Sequence, residues 1–582
     1  MNSRPRLLLG LAAVAVAFAA ADTYVVVLAL PDMMASVGIP LDELQRGAPI
    51  VSGFLLGYVA MLPLIGRIAD LRGRVPVLVA ALVVFAVGSL VTILSYDLES
   101  LVAGRFIQGV GGGGLVPATL ALVADLYPVE RRGVPLGIVS GVQELGSVIG
   151  PLFGAAILAV TDWRVIFVIN MVVGVVLAVL IRAVTRTGPP SPRPGVRHVD
   201  WPGVALLVVA LASGGLLLVQ PTPLVQDVTW GQLFIPEVGS GRWLTPLGLI
   251  AIVAMLLVVV RCLTAPHPLV DLRSWGRAAA QADLPGALFL AAALAGVILA
   301  FATADPRIQV FAPQGHWYLL AALIATFAFA WHLRTADAPL VPRGALRRTP
   351  AWGSLLVSFF VGAALVAALI DIPIFARTTV YPDSQLLAAL VLVRFLVALP
   401  VGAVVGGYLT RHVPAGVVTA AGMALAALGF LLMSEWDLTS LSAWPANVPL
   451  LVGGFGFGLA LAPVNAAVLA ATDSGVHGLA TAGVVVSRMV GMLVGVSALT
   501  TIGLRRYYAE SRDLPPPMQV CGGHTSRCEA FDLLLRQAGI AQEHTVFAGA
   551  AVCACIAAVL ALFLFRGVET RATDLTVGLR AG

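Results

Sequence analysis

Four ionisable side chains stand where an apolar chain penalises them most. Asp22, Glu144 and Arg488 fall near the middle of long apolar runs, and Arg105 opens another run in Gly104-Arg105-Phe106-Ile107-Gln108-Gly109. A charge at such depth is kept when it pairs with another charge or serves a path for ions or protons. Two acids early in the chain and one base late in it can close an ion pair between two halves of a molecule. A proton reaching either acid cancels its charge and loosens the pair, so the chemistry on offer is proton-linked switching between two arrangements. A static structural pair would use the same residues. No Walker loop is present, so ATP is not the expected energy source. No catalytic triad, paired catalytic acids or zinc motif emerges, so neither an enzyme nor a cofactor or metal site is expected.

A second cluster reads Gly66-Arg67-Ile68-Ala69-Asp70-Leu71-Arg72-Gly73-Arg74. Gly66 and Gly73 permit a tight turn. Asp70 can accept charge-assisted bonds from Arg72, Arg74 or a helix N-terminus, a latch that holds in one state and releases in another. Arginines placed only for membrane topology would leave the same trace. Further on, Gly146-Ser147-Val148-Ile149-Gly150-Pro151 spaces small residues for close helix approach, with Pro151 available for a kink. Cys521 and Cys528 flank Gly522-Gly523-His524. On an oxidising face of the membrane they form a disulfide; a metal site with His524 is the sharper alternative.

The elements that must position these groups follow from composition. Of 582 residues, 59% are hydrophobic and only 11% charged, against about 25% charged in soluble chains. That excludes a soluble enzyme and a disordered chain. The net charge of +5 does not indicate a nucleic-acid partner, because the arginines are scattered between apolar runs. Sixteen runs reach the length of about 20 residues that a bilayer span needs: near 6–30, 48–66, 75–95, 101–126, 134–159, 164–184, 202–220, 244–261, 284–303, 317–333, 351–376, 385–410, 414–433, 449–471, 478–504 and 545–565. Runs this apolar form helices rather than barrel strands. The first is too long, and with Asp22 too polar, for a signal peptide.

The chain has no lysine, so arginine alone carries the positive-inside signal. With the N-terminus inside, 22 arginines face the cytoplasm, and an even number of spans places both termini there. The expected organisation is an all-α polytopic membrane protein. It comprises a six-helix bundle over 1–186, a linker of two helix pairs over 187–349, and a second six-helix bundle over 350–582 with a periplasmic extension at 505–544. The linker looks duplicated. Asp200-Trp201-Pro202-Gly203 and Asp283-Leu284-Pro285-Gly286 open the pairs, and Pro268-Leu269-Val270 and Pro339-Leu340-Val341 close them.

These motifs resemble the signatures of the major facilitator superfamily: the 66–74 loop, the Gly104–Gly109 string with the glycine run at 111–114, and the glycine-proline pattern of the antiporter branch. A closer set is Asp22-Thr23-Tyr24-Val25-Val26-Val27, Ser36-Val37-Gly38-Ile39-Pro40, Gln143-Glu144-Leu145-Gly146-Ser147, and His477-Gly478 with Ser487-Arg488-Met489. It is similar to the actinobacterial triacylglyceride exporters within the fourteen-helix drug:proton antiporter family, which are also described as multidrug pumps. The resemblance implies two six-helix bundles and proton-coupled export of lipid from the bacterial inner membrane to a periplasmic lipid-carrier lipoprotein. The protein would act as a monomer. It implies roles for Asp22, Glu144, Arg488 and Asp70, and for Asp371 in Ile370-Asp371-Ile372-Pro373 as a secondary candidate. It also implies that the helices flanking 505–544 extend beyond the membrane. The departure is the insert, four helices where the family has two.

Overall fold

A computed structural model of the chain describes residues 3–40, 44–185, 200–237, 241–302, 314–382, 384–521 and 528–568. The basic stretch at 186–199 and the Gly522-Gly523-His524 segment lie outside them. Among the described residues there is no strand. Helices dominate because a bilayer offers backbone groups no water, and a helix satisfies them internally.

The first bundle holds α1 (Ser3–Ser36), α2 (Leu44–Arg72), α3 (Arg74–Ile93), α4 (Leu98–Leu126), α5 (Gly133–Leu158) and α6 (Arg164–Thr185). The insert follows as α7 (Trp201–Val219), the short α8 (Thr222–Val225), α9 (Pro246–Thr264), α10 (Leu272–Gln281), α11 (Leu284–Ala302) and α12 (Gly315–Thr335). The second bundle holds α13 (Thr349–Thr378), α14 (Gln385–Leu409), α15 (Ala415–Met433), α16 (Asn447–Ala471), α17 (His477–Arg512), the short α18 (Pro517–Val520) and α19 (Glu529–Leu564). Sixteen of these are long and apolar enough to cross a membrane, one for each run expected from the sequence.

The two bundles repeat one packing plan. In the first, α3 and α2 pack on α4, α1 on α5 and α3 on α6; in the second, α15 and α14 pack on α16, α13 on α17 and α15 on α19. The seam between them is also symmetric, with α5 against α14 and α2 against α17. The most enclosed spans are α4 and α16. In α4 the glycines explain this: side chains at Gly109 and Gly113 would strike the backbone of Phe54 and Tyr58 in α2, and one at Gly111 the backbone of Phe85 in α3.

The inserted pairs share a latch. Asp200 accepts a bond from the Gly203 amide and pairs with Arg261 at 2.6 Å. Asp283 likewise accepts from the Gly286 amide, meets His332 at 2.7 Å, and accepts from the Leu340 amide. The same carboxylate capping the first helix and gripping the end of the second supports the internal repeat read from the sequence. Asp283 takes this position in the left-handed region, at φ 62°.

The 505–544 segment is helical on both sides of its connection. α17 continues to Arg512 and α19 starts at Glu529, leaving 513–528 between them. Each is 36 residues long, about 54 Å at 1.5 Å per residue, well beyond a hydrocarbon core of about 30 Å. Both are therefore longer than one crossing requires, and a Cys521–Cys528 disulfide ties the connection.

Candidate functional site

The 66–74 stretch expected as a loop is helical except at Gly73, and at this arginine-rich end the end of α2 and the start of α3 reach across the seam to the start of α17. The buried Asp70 carboxylate accepts from the Gly478 amide at 2.8 Å and the Leu479 amide at 3.0 Å, and pairs with Arg74 at 2.9 Å. A carboxylate at a helix N-terminus meets unpaired N–H groups and the positive end of the dipole. Arg74 donates to the Ser474 carbonyl, and Arg67 to that of Gly475. Arg72 turns away, donating to Ser274 and stacking on Trp275 of α10, which ties the end of α2 to the insert. Gly73, at φ 92°, makes the turn from α2 into α3 that other residues rarely adopt.

Beside this latch the two bundles touch backbone to backbone. Gly66 faces Gly478, and across the seam Gly133 faces Gly407; at all four a side chain would collide with the opposing carbonyl. The seam is thus closed at this end. Gly133 and Gly407 carry no signal that separates them from the chain's 60 glycines.

Glu144 and Arg488 meet at 3.3 Å across the seam, as expected of an ion pair between bundles. They border a cavity of about 30 Å³ that is also lined by Tyr58, Gln143, Ser147 and Met489.

Asp22 does not join that pair. It lies 2.7 Å from Arg105 within the first bundle, and Gln108 and Asn170 donate to its other oxygen. The pair is fully enclosed, and Arg105 lies over the rings of Phe54 and Phe167, 4.4 and 5.5 Å from their centroids. Partition between two adjacent helices decides this: α4 packs on α1, so Arg105 reaches Asp22 before any residue of the second bundle can. An arginine that snorkels to the outer surface would be exposed; this one is buried. Gln108, one helical turn from Arg105, and Asn170 were not singled out in the sequence.

The small residues of α5 do what their spacing implied. Side chains at Gly146 and Gly150 would strike the backbone of Ala17 and Ala21 in α1. This packing sets Asp22 and Glu144 on neighbouring helices. Pro151 lies inside α5.

Asp371 is buried, not at a wet helix end, and lies close to the buried Glu543 of α19. Glu543 escaped notice because it was assigned to the outer segment. Its signal is helical register: Ile540, Glu543, Phe547 and Ala550 share one buried stripe. Among the described residues no group of three or more His, Cys, Asp or Glu side chains could hold a metal.

With this geometry in place, the kinship is clear. The Major Facilitator Superfamily model matches residues 12–336. The chain is 32% identical to a triacylglyceride transporter of Mycolicibacterium hassiacum, over 94% of this chain and 90% of that one. It is also 32% identical to a triacylglyceride transporter of Mycobacterium tuberculosis, over 97% and 95%. Among solved structures it resembles a human organic anion transporter, at TM-score 0.54 and 14% identity, over 96% of this chain and 100% of that one. It also resembles a proton:xylose symporter of the same superfamily, at 0.52 and 14%, over 97% and 96%. Two six-helix bundles meeting at a glycine-lined seam, bridged by Asp70 and Arg74, place the sequence matches in one frame: the chain belongs to the Major Facilitator Superfamily and is a multi-pass membrane transporter rather than an enzyme.

Proposed function

We propose that this chain is a proton-coupled exporter of triacylglyceride or a related lipid, moving it from the bacterial inner membrane toward the periplasm. The observation that carries the coupling is the Glu144–Arg488 contact across the seam. A proton on Glu144 removes its charge and leaves Arg488 enclosed beside a neutral partner. Because the pair borders a cavity rather than being sealed off, losing it costs less than breaking a fully enclosed pair, about 1–3 kcal/mol, still enough to shift the balance between two bundle arrangements. Release of the Asp70 latch and the two glycine contacts then opens the arginine-rich end. That end faces the cytoplasm on the positive-inside rule.

The lipid assignment rests on the substrate named for both mycobacterial relatives. Apolar space on the flanks of the molecule supports it. One cleft of about 120 Å³ lies beside Asp22, between Phe18, Ile149, Phe153 and Ile166. The projecting ends of α17 and α19 suit a dock for a periplasmic lipid-carrier lipoprotein. The transporter works as a monomer, because both bundles and the whole seam come from one chain.

A second reading, a multidrug:proton antiporter for small lipophilic compounds, is favoured by the polar lining of the small central cavity, where Gln143, Glu144, Ser147 and Arg488 converge. Lipid analysis of cells with and without the protein separates the two. Export of triacylglyceride that is lost in Glu144→Gln supports the first reading. Unchanged lipid profiles, with proton-dependent efflux of a lipophilic dye, would replace it with the second.

A further inference from the structure

The second inserted pair roofs a cleft that none of the charged residues above uses. It measures about 260 Å³ and is walled by Pro63 of α2, Leu290 of α11, Phe329 of α12, Leu355 of α13, and Leu479 and Gly483 of α17. The hydroxyls on its wall, Thr472 and Ser487, are already bonded to the carbonyls of Val468 and Leu355. Nothing in it asks for a polar ligand, so it suits hydrocarbon.

The cleft exists because of how the pair is held. α11 packs on α2 and α17, while α12 packs mainly on α11 and turns Leu323, Ile324, Phe327 and Trp331 outward. The Asp283 grip on Leu340 seats the loop after α12 against Leu64 and Leu479. The space left beneath α12 lies one leaflet deep. Pro63 is nine residues from Arg72, about 13 Å along the helix, roughly half of a hydrocarbon core of about 30 Å.

The loop that walls one side of the cleft is basic. Val341 and Ala345, which line the cleft, lie in the segment from Arg334 to Arg348, which carries Arg334, Arg343, Arg347 and Arg348 against a single carboxylate, Asp337. All five are exposed. Arg343 also donates to the carbonyls of Arg334 and Ala336, which fixes the loop over the end of α12. A basic loop that walls an apolar gap between spanning helices offers partners to anionic lipid headgroups.

We propose that this cleft binds one acyl chain of an anionic glycerophospholipid of the surrounding leaflet, with the headgroup phosphate at Arg347 and Arg348. The lipid fills the gap under the second pair and fastens that pair to α2 and α17. The site is separate from the transported cargo, and its test reads binding alone.

The full chain, purified in detergent, is equilibrated with phosphatidylglycerol, phosphatidylcholine or triolein and analysed by native mass spectrometry. Phosphatidylglycerol is expected to be retained about tenfold better than phosphatidylcholine, the effect of one to two arginines at a lipid surface. Gly483→Leu fills the cleft, since a Cβ there meets its nearest neighbour, Leu355, at ordinary contact distance, and should abolish retention. Ala345→Phe should do the same from the loop, and covers the case in which the first variant elutes as aggregate. The double variant Arg347→Gln/Arg348→Gln should still hold a lipid but lose the headgroup preference. Retention equal in wild type and both filling variants overturns the site. Equal retention of the two phospholipids, or stronger retention of triolein, overturns the anionic assignment.

Discussion

Gly66 and Gly478 meet across the two bundles with no side chain between them, and a methyl group on either would fall against the other's carbonyl. Gly133 and Gly407 repeat the contact on the far side of the seam. Gly478→Val should therefore wedge the arginine-rich end apart, disfavouring the closed arrangement by about 1–3 kcal/mol. Spin labels on either side of that end should report a longer mean distance, and Gly407→Val should lengthen it too. An unchanged distance distribution in both variants would count against the seam as a gate.

Asp70 supplies the charge that the start of α17 faces. Asp70→Asn keeps the shape and loses both the Arg74 pair and the dipole contact, together about 1–2 kcal/mol. A cysteine at Ser140, which borders the closed seam, should then react faster with a thiol reagent added from the arginine-rich side. The same rate with and without the Asp70 change would remove the latch from the mechanism.

Asp22 and Glu144 should part company under mutation. Asp22→Asn strands the enclosed Arg105 without its counter-charge, and about 3–5 kcal/mol of stability should go with it. Thermal unfolding in detergent reads that loss. Asp22→Leu combined with Arg105→Met should regain much of it, because apolar replacement of a whole buried pair is often neutral. Glu144→Gln should leave the unfolding temperature nearer wild type and abolish proton-dependent transport. Equal destabilisation by both single changes would mean that the two pairs share one structural role.

The Cys521–Cys528 bond closes a separation of only seven residues. Its removal by Cys521→Ser should leave the spanning helices intact and expose the connection to added protease. If the unfolding temperature of the whole protein falls sharply, the tip carries more of the fold than its short loop implies.

Length and apolarity were enough to place sixteen spans, because a bilayer demands both of every crossing helix. The ion pair between Glu144 and Arg488 was also legible, as charges at similar depth in opposite halves. The partner of Asp22 was not. Which base an acid meets depends on the rotation of α1 against α4, and nothing in the hydropathy of either run records that rotation. Glu543 was missed for a related reason: the apolar run starts at 545, yet the buried stripe of α19 begins earlier, at Ala538. The glycine pairs of the seam were hidden by abundance. Gly66 stood out through its loop, whereas Gly133 and Gly407 are distinguished only by what faces them.

α17 is an unbroken rod with Gly478 at one end, Arg488 a third of the way along and Arg512 at the other end. Tilted as a rigid body about the central charge, it would act as a lever. A tilt of about 10° at Arg488 carries Arg512, about 36 Å away along the helix, through about 6 Å. The short arm moves the gate by a smaller step in the opposite sense. Opening at one face of the membrane and displacement of the projecting tip at the other are then a single motion, so any protein docked on that tip would feel the position of the gate.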